Sequence, residues 1–366
     1  MNFDLSDEQK MLAEQVRSLL EERSAPNHLR SLIDEGLEWD EGLWRDLSAL
    51  GFLGAAIPEA YGGLGLGDLD LGVISEELGR VNAAVPVFSS VVLAANAILL
   101  AGSEEQRLRL LPQIASGELI ATFAFAEGVS SRPGKIDTLF KGHLLYGRKS
   151  PVADAGIATI AVVLAQDEQG AAFMLVPFEQ PGVERRKLRS FDQLRAHYSL
   201  SFDGAFAERL GVEPADGHLE RLFDGAAVQA AFEAVGGAEA CLWMARNHAL
   251  ERQIFGRPLA SYQAIKHKLA DLLVAVELAR ASAHYSAWAA HEAPSELPFA
   301  AAAARLNAID AFEFAARENM QVHGGMAYTV EADCHFYYRR ERTLALSLGN
   351  RERWADRMIG AVPRAG

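Results

Sequence analysis

The sequence predicts an α+β fold in which helical segments at both ends enclose a β-rich middle. Apolar residues recur at helical spacing before residue 118 and again after residue 212, and short β-prone runs lie between them. We therefore expect an N-terminal helical domain over residues 1–118, a β domain over 119–212 and a C-terminal four-helix bundle over 213–366.

The first predicted helix has a local start signal. Ser6 and Gln9 fit a capping box, in which the serine accepts from the third backbone amide and the glutamine side chain reaches back. Helical spacing continues through a second segment that Gly51 ends, and a glycine-rich turn follows at 57–67. The apolar residues that set this spacing are Leu12, Val16, Leu19, Leu20, Trp44, Leu47 and Leu50.

Short β-prone runs mark the middle of the chain. Residues 158–164 have the sequence ATIAVVL, residues 173–177 form a second run, and residues 198–202 alternate apolar and polar positions. Gly, Pro and Asp bound these runs, which is typical of strands. We therefore predict strands at these three positions.

Helical spacing returns near Asp224 and continues almost to the end of the chain. The alanine-rich stretch 300–316 suits close contact between helices, and Pro294 and Pro298 separate the second and third helices of the bundle. Two apolar faces define the first two helices: Val228, Ala231, Phe232, Val235 and Leu242, then Ile265, Leu269, Leu272, Leu273, Val276 and Ala283.

The charge balance argues against a nucleic-acid partner. The formal net charge is -14 and the pI is about 5.2, whereas nucleic-acid binding relies on clustered Lys and Arg that neutralise phosphates. One local basic patch exists, and we interpret it as a solvated strand end rather than an anion site. That patch consists of Arg185, Arg186, Lys187 and Arg189.

Cysteine usage and hydropathy predict a cytoplasmic chain. The two cysteines, Cys241 and Cys334, are too far apart in sequence for a disulfide framework or a metal site. The N-terminal residues are polar and acidic, unlike a signal peptide. The longest apolar run, 91–101, is too short to cross a bilayer, so we expect no membrane association. His323 has no metal-ligand partner at suitable spacing, and we expect no metal.

Four motifs in a fixed order identify a resemblance. They are IPEAYGGLG at 57–65, GSEEQ with the following LP and GE pairs at 102–118, ERQIFGRP with the following YQ and AD pairs at 251–271, and QVHGG at 321–325. Together they resemble the flavin-dependent acyl-CoA dehydrogenase family. In that family an N-terminal helical domain, a central β-barrel-like domain and a C-terminal four-helix bundle make up the fold.

The resemblance implies an oxidoreductase that acts on CH–CH groups of an acyl-CoA thioester, in fatty acid or steroid degradation. FAD is the implied cofactor and electron-transfer flavoprotein the implied electron partner. A glutamate would remove the α-proton while FAD accepts a hydride from the β-carbon.

The resemblance also assigns one half of the cofactor site. In the family each FAD lies across a subunit interface, and the adjacent subunit supplies Arg, Phe and Gln side chains and a Gln-x-x-Gly-Gly loop. A guanidinium suits phosphate oxygens, and paired glycines let backbone amides approach a ligand closely. The matching residues are Arg252, Phe255, Gln263, Gln321, Gly324 and Gly325.

The other half of the family's flavin site is not matched. The family has a Thr-Glu-Pro-x-x-Gly-Ser-Asp-like loop, whereas residues 126–133 here are AEGVSSRP and only Glu127 agrees. A Trp-Ile-Thr strand is expected at 150–153, where this chain has SPVA. Pro151 in that stretch has no backbone N–H to donate. The aromatic ring and the hydroxyl that contact the flavin are therefore missing.

The catalytic base is missing as well. The family position near the C-terminus falls on Leu348, or on Gly349 after a shift of one residue, and an alternative position used by some members falls on Ala226. We therefore predict no catalytic residue in this chain. The nearest acids are Glu220, Asp224, Glu341 and Glu352.

The losses lie on one side of the site and the retained residues on the other, which favours a degenerate subunit of a heterotetramer. Such a chain would be inactive alone and would complete the FAD site of a second acyl-CoA dehydrogenase subunit. Three alternatives remain at this level: a self-sufficient homo-oligomer with an unusual base, a flavin monooxygenase-like protein on the same fold, and a non-enzymatic scaffold.

Overall fold

A computed structural model describes residues 5–24, 26–128 and 135–362. The chain divides into two compact units: one comprises the described residues of Met1–Ser31, Asp68–Ala83 and Ala227–Gly366, and the other comprises those of Leu32–Gly67 and Ala84–Ala226. The helices are α1 (Asp7–Arg23), α2 (Pro26–Asp34), α3 (Glu41–Ala49), α4 (Asp68–Arg80), α5 (Asn96–Ala101), α6 (Glu104–Ala115), α7 (Ala215–Glu251), α8 (Gln263–Glu292), α9 (Leu297–His323), α10 (Cys334–Leu346) and α11 (Arg351–Ala361).

The strands lie between residues 121 and 258. They are β1 (Ala121–Ala124), β2 (Leu139–Lys141), β3 (Leu144–Ala153), β4 (Ile160–Asp167), β5 (Gly170–Pro177), β6 (Val183–Lys187), β7 (His197–Phe206), β8 (Glu208–Arg209), β9 (Gln253–Ile254) and β10 (Arg257–Pro258). The first eight form one sheet, and the last two form a separate hairpin. The predicted α+β class is confirmed, and the domain limits at residues 118 and 212 stay a prediction.

The long C-terminal helices form the predicted bundle. α7, α8 and α9 have 37, 30 and 27 residues, and α10 and α11 pack against α9. Alanine dominates the buried face of α9, which lets the neighbouring helices approach closely. A Cβ on Gly237 would lie 2.4 Å from Cζ of Phe312, so this crossing requires a glycine.

α4 belongs to the same unit and crosses α7 at backbone distance. A Cβ on Gly79 would lie 2.0 Å from the Glu233 carbonyl oxygen, and one on Gly236 would lie 1.9 Å from the Glu76 carbonyl oxygen. Arg80 and Arg280 bind the carboxylates of Glu76 and Glu239 beside this crossing. The crossing therefore combines a close glycine contact with a largely buried ion-pair network.

The sheet occupies the second unit. Its strand order is β6-β7-β3-β2-β4-β5-β8, and β1 pairs with β4. β1–β4 and β2–β4 are parallel, and the other neighbours are antiparallel. The strands predicted at 173–177 and 198–202 lie within β5 and β7, and the one predicted at 158–164 overlaps β4, which begins two residues later. β3 escaped prediction because its sequence, LLYGRKSPVA, is interrupted by a glycine, three polar residues and a proline.

An aromatic cluster forms part of the core of the sheet unit. Phe123 on β1 and Phe125, just after that strand, pack against Phe223 in the early part of α7, with ring centroids 6.5 and 5.0 Å apart. Phe173 on β5 adds an edge-on contact with Phe123 at 5.5 Å. Such pairs stabilise a core by about 1 kcal/mol beyond their buried area.

The basic patch on β6 serves the fold in part. The Arg185 guanidinium donates to the carbonyl oxygens of Ala155, Gly156 and Ala158, and Lys187 pairs with Glu38 at 2.8 Å. Arg185 therefore closes a loop of its own unit instead of offering a free cation.

Within residues 5–24, 26–128 and 135–362, no helix is both long and apolar enough to cross a bilayer. The same residues contain no group of three or more His, Cys, Asp or Glu side chains placed to hold a metal ion.

Candidate cofactor site

A two-residue hairpin follows α7 and carries the predicted phenylalanine. β9 and β10 are antiparallel, with Arg257 opposite Ile254 and Pro258 opposite Gln253. Phe255 and Gly256 form the turn and have φ values of 51° and 78°. Positive φ at both positions is the geometry of a type I′ turn, which matches the twist of the two strands.

The turn exposes an aromatic ring at a cost in backbone energy. Phe255 is 95% exposed, and its positive φ is unfavourable for a bulky residue by about 1 to 2 kcal/mol. Asn or Gly would fit the same turn without this strain. A strained backbone that holds an apolar ring in solvent is typical of a ligand or partner contact.

Three polar side chains at this end of the bundle are exposed and unpaired. Arg252 follows α7, Gln263 begins α8, and Gln321 lies in the last turn of α9. Among the residues that the structure describes, none of the three side chains has a hydrogen-bond or ion-pair partner. Their donors therefore remain available to a ligand or to a neighbouring chain.

A small apolar cluster brings the three elements together. The buried residues Ala245 and Ala249 on α7 contact Val322 on α9. The backbone N–H of Leu259 donates to the Arg252 carbonyl at 2.7 Å and closes the base of the hairpin. The partly buried residues packed on this cluster are Leu259, Ala260, Ile265 and Leu269. The cluster places the hairpin, the start of α8 and the end of α9 side by side.

Two stacked imidazoles join α7 to α9 beside Arg252. The ring centroids of His248 and His323 are 4.1 Å apart at an angle of 26°, and His323 Nδ1 lies 2.9 Å from the Asn319 carbonyl. Burial lowers the pKa of His248, and the nearby His323 and Arg252 lower it further against the opposing effect of Glu251. The His248 ring is therefore neutral at physiological pH, which favours the stack.

The glycine pair after α9 has the backbone freedom that the sequence implied. Gly324 has a φ of 64°, and among the described residues no atom lies within 4 Å of a Cβ built on Gly324 or Gly325. Open space rather than packing therefore surrounds these glycines. A ligand can reach their backbone from that side.

On the sheet, Glu127 is fully engaged by its own unit. Its carboxylate accepts from the backbone N–H groups of Asp137 and Thr138 at 2.7 and 3.0 Å and from the buried Lys149 ammonium. Burial opposes ionisation of Glu127, but the bonds from Lys149 and from these donors outweigh it and lower its pKa. Burial lowers the pKa of Lys149 to about 8 despite the pair. Both groups are charged at pH 7.

The strand expected to contact a flavin has Pro151 and Ala153 at the two positions where the resemblance places an aromatic ring and a hydroxyl. Pro151 is exposed and Ala153 is half-buried at the end of β3, while Ala126 is buried before Glu127. Residues 129–134 of the predicted loop, VSSRPG, lie outside the described residues. The assignment of this region to a flavin contact stays a prediction.

The two family positions for a base are buried and apolar. Leu348 is 0% and Ala226 1% exposed, and Gly349 has no side chain. Neither position can carry or accept a proton through its side chain. The prediction that these positions provide no carboxylate follows from residue identity.

Glu341 is the acid nearest in sequence to Leu348 among those buried in the bundle. Its side chain is 1% exposed, and Arg342 Nε lies 3.0 Å from one oxygen, but neither oxygen accepts a well-aligned hydrogen bond from the described residues. Burial raises its pKa to about 7 against the opposing effect of Arg342 and Arg305. Glu352 is exposed, Asp224 is buried on α7, and Glu220 is half-buried there.

Comparison with known proteins identifies the family. The sequence matches the family model "Acyl-CoA dehydrogenase, N-terminal domain" over residues 6–118 and "Acyl-CoA dehydrogenase, C-terminal domain" over residues 218–361. The chain is 31% identical over 335 residues to acyl-CoA dehydrogenase IpdE2 of Mycobacterium tuberculosis, covering 91% of each chain. The chain belongs to the acyl-CoA dehydrogenase family.

Solved structures of this family superpose over nearly the whole chain. The ChsE4-ChsE5 complex from Mycobacterium tuberculosis contains a chain 30% identical, with a TM-score of 0.90 and 100% of both chains covered. A structure described as the Tcur3481-Tcur3483 steroid ACAD is 31% identical, with a TM-score of 0.88 and coverage of 97% and 98%. Acyl-CoA dehydrogenases are FAD-binding oxidoreductases that act on CH–CH groups.

The residues present fit one part of FAD and not the other. The bundle end has an unpaired guanidinium, an exposed aromatic ring and a glycine pair with open space where a Cβ would lie, which suit a diphosphate and an adenine. The described part of the sheet side offers Pro151 and Ala153 where the family places a ring and a hydroxyl. Of the six predicted cofactor residues, the structure brings all onto elements that meet at one end of the bundle.

Sequence reasoning missed several residues of this end. His248 has no motif partner in sequence, because its stacking partner is 75 positions away, as the numbers of His248 and His323 show. Arg257 and Tyr262 lie within the third motif, but the sequence did not show that the guanidinium packs on the ring. The histidine pair is visible only in the fold, which brings α7 beside α9.

Proposed function

We propose that this chain is the subunit of a hetero-oligomeric acyl-CoA dehydrogenase that completes the FAD site of a catalytically complete partner. One observation carries the proposal: Arg252, Gln263 and Gln321 are exposed and unpaired within the described residues, whereas the base position holds the buried Leu348. The chain thus keeps groups that bind a nucleotide and lacks the group that abstracts a proton.

Each residue of the bundle end has a distinct part in this proposal. The Arg252 guanidinium would bind the diphosphate of the partner's FAD with paired N–H donors. The Phe255 ring would pack against the adenine, and Gln263 and Gln321 would orient the nucleotide through their amides. Gly324 and Gly325, which have no side chain, would let the nucleotide approach the backbone closely.

The reaction at the completed site is the α,β-desaturation of an acyl-CoA thioester. FAD, when bound, supplies the acceptor for the hydride. The proton from the α-carbon needs a carboxylate, and in this proposal the partner provides it. The chain's own contribution is to hold the cofactor and to exclude water from its nucleotide end.

The relatives support a two-chain assembly. One solved structure is a complex of two differently named chains, ChsE4 and ChsE5, and another carries two names with the words steroid ACAD. By analogy we propose a steroid-derived or similarly bulky acyl-CoA as the substrate class to test first. An electron-transfer flavoprotein would reoxidise the flavin, as the family resemblance implies.

The experiment that tests this function is the Arg252→Ala variant in the assembled complex. Loss of a charge-assisted phosphate contact predicts FAD binding weaker on the order of 100-fold. The complex, made by co-expression with acyl-CoA dehydrogenase chains encoded beside this one, is deflavinated and titrated with FAD. Arg246→Ala, an exposed arginine on the same helix, is the matched control. Unchanged FAD affinity in Arg252→Ala refutes the proposal.

A further inference from the structure

Two residues hold the hairpin that carries Phe255: Tyr262, which lies outside the hairpin, and Arg257, which lies on its second strand. The Tyr262 hydroxyl donates to the Ile254 carbonyl at 3.1 Å, across the turn from its own segment. The Arg257 guanidinium carbon lies 3.9 Å from the centre of the Tyr262 ring. Tyr262 therefore contacts both strands, one through its hydroxyl and the other through its ring.

The contacts of Tyr262 with Ile254 and Arg257 compensate for the low stability of the hairpin itself. Each strand has only two residues, and an isolated short hairpin is marginally stable in water. The turn adds backbone strain because Phe255 adopts a positive φ. Phe255 is 95% exposed, so its own packing does not fix its position. The contacts of Tyr262 supply the order that the ring does not.

Tyr262 is suited to this role by its place in the chain. It is the residue before α8, with φ and ψ of -81° and 131°, and its carbonyl accepts from Ile265 and Lys266 at 3.1 Å each. The helix start thus fixes the Tyr262 backbone, and its side chain transmits that fixed position to the turn. The cation–π contact of Arg257 attracts the second strand to the same ring.

We propose that Arg257 and Tyr262 are positioning residues that hold Phe255 against the nucleotide of the partner's FAD. This inference rests on the proposed function and deepens it, since it names residues that act through Phe255. Neither residue needs to touch the cofactor. A flexible hairpin would weaken the Phe255 contact, because binding would then have to order the ring at a cost in conformational entropy.

A double-mutant cycle between Tyr262→Phe and Phe255→Ala tests the inference. FAD is titrated into the deflavinated complex, as in the Arg252 experiment. We expect Phe255→Ala to weaken binding on the order of tenfold. Tyr262→Phe removes one hydrogen bond and should weaken it about fivefold. In the Tyr262→Phe background, Phe255→Ala should cost about threefold or less, because the ring has already lost its fixed position.

The controls separate this inference from the proposed function. Tyr285→Phe also removes one tyrosine hydroxyl contact on α8, to Glu296, and should leave FAD affinity unchanged. Arg257→Gln should reproduce Tyr262→Phe and should not add to it. Fully additive penalties for Tyr262→Phe and Phe255→Ala overturn the positioning role alone. Absence of any effect from Phe255→Ala and Arg252→Ala together overturns the proposed function itself.

Discussion

The bundle end and the sheet around Glu127 and Lys149 treat their polar groups in opposite ways. On the sheet, Glu127 and Lys149 satisfy each other with help from Thr138, and both side chains are largely buried. At the bundle end, Arg252 and Gln321 are exposed and find no partner among the described residues. One region uses polar residues for its own stability, and the other leaves them available.

This difference shows how one chain can use some polar groups for its fold and keep others for binding. Buried polar groups must be paired, because an unpaired one destabilises the folded state. Exposed polar groups do not need a partner within the folded chain. The strained turn of Phe255 lowers stability, and binding to another molecule explains why the chain keeps it. Stability and binding should therefore respond to different substitutions in the two regions.

The largest expected effect is on the sheet. Lys149→Met leaves the Glu127 carboxylate without its ammonium partner, and breaking a buried pair destabilises by about 3 to 5 kcal/mol. Urea unfolding of the full chain measures the loss. The exposed Lys141→Met is the matched control and should change stability by about 0.5 kcal/mol or less. Adding Glu127→Gln to Lys149→Met should recover part of the loss, and no recovery would contradict the pairing.

A smaller effect is expected from the buried acid of the bundle. The pKa of Glu341 in the folded chain is about 7, raised by burial from an ordinary value of 4.5. The folded state therefore binds more protons than the unfolded state between these values, and stability falls as pH rises from about 4.5 to 7. Glu341→Gln should stabilise the chain by up to about 3 kcal/mol at pH 8 and by about 1 kcal/mol or less at pH 5.

The same variant decides whether Glu341 replaces the missing base. Because we propose that the partner provides the base, Glu341→Gln should leave the desaturation rate of the assembled complex unchanged. A large loss of activity at unchanged FAD content would show instead that this buried acid takes part in catalysis.

The smallest expected effect is at the hairpin tip and has opposite signs for stability and binding. Phe255→Asn creates an Asn-Gly turn, which fits positive φ, and should stabilise the chain by about 1 kcal/mol. The same change removes the ring and should lower FAD affinity. Thermal unfolding and FAD titration measure the two effects. Phe255→Ala, which keeps the strain, should lower affinity without the gain in stability.

Much of the fold was predictable because its signals are local. The Ser6–Gln9 capping box, the helical faces of α7 and α8 and the strands within β4, β5 and β7 follow from residue spacing alone. Interrupted strands such as β3 were not predictable, because their pairing partners lie far along the chain. Register across a sheet is a long-range property that local propensity does not encode.

The candidate site shows the same division. Motif matching found the exposed donors such as Arg252, since the family pattern is contiguous around them. It could not find the His248–His323 stack or the contacts of Tyr262 with the hairpin, because both exist only as side-chain contacts in the folded chain. It also missed the partners of Glu127, because Lys149 and Thr138 lie on different segments that only the sheet brings together.

The central claim is that this chain donates a cofactor half-site and has no complete site of its own. Flavin content of the chain purified alone, beside that of the complex with its partner, tests this most directly. We expect the chain alone to be colourless and inactive, and the complex to be yellow and to desaturate acyl-CoA. A chain that alone carries a full complement of FAD and desaturates acyl-CoA would contradict it.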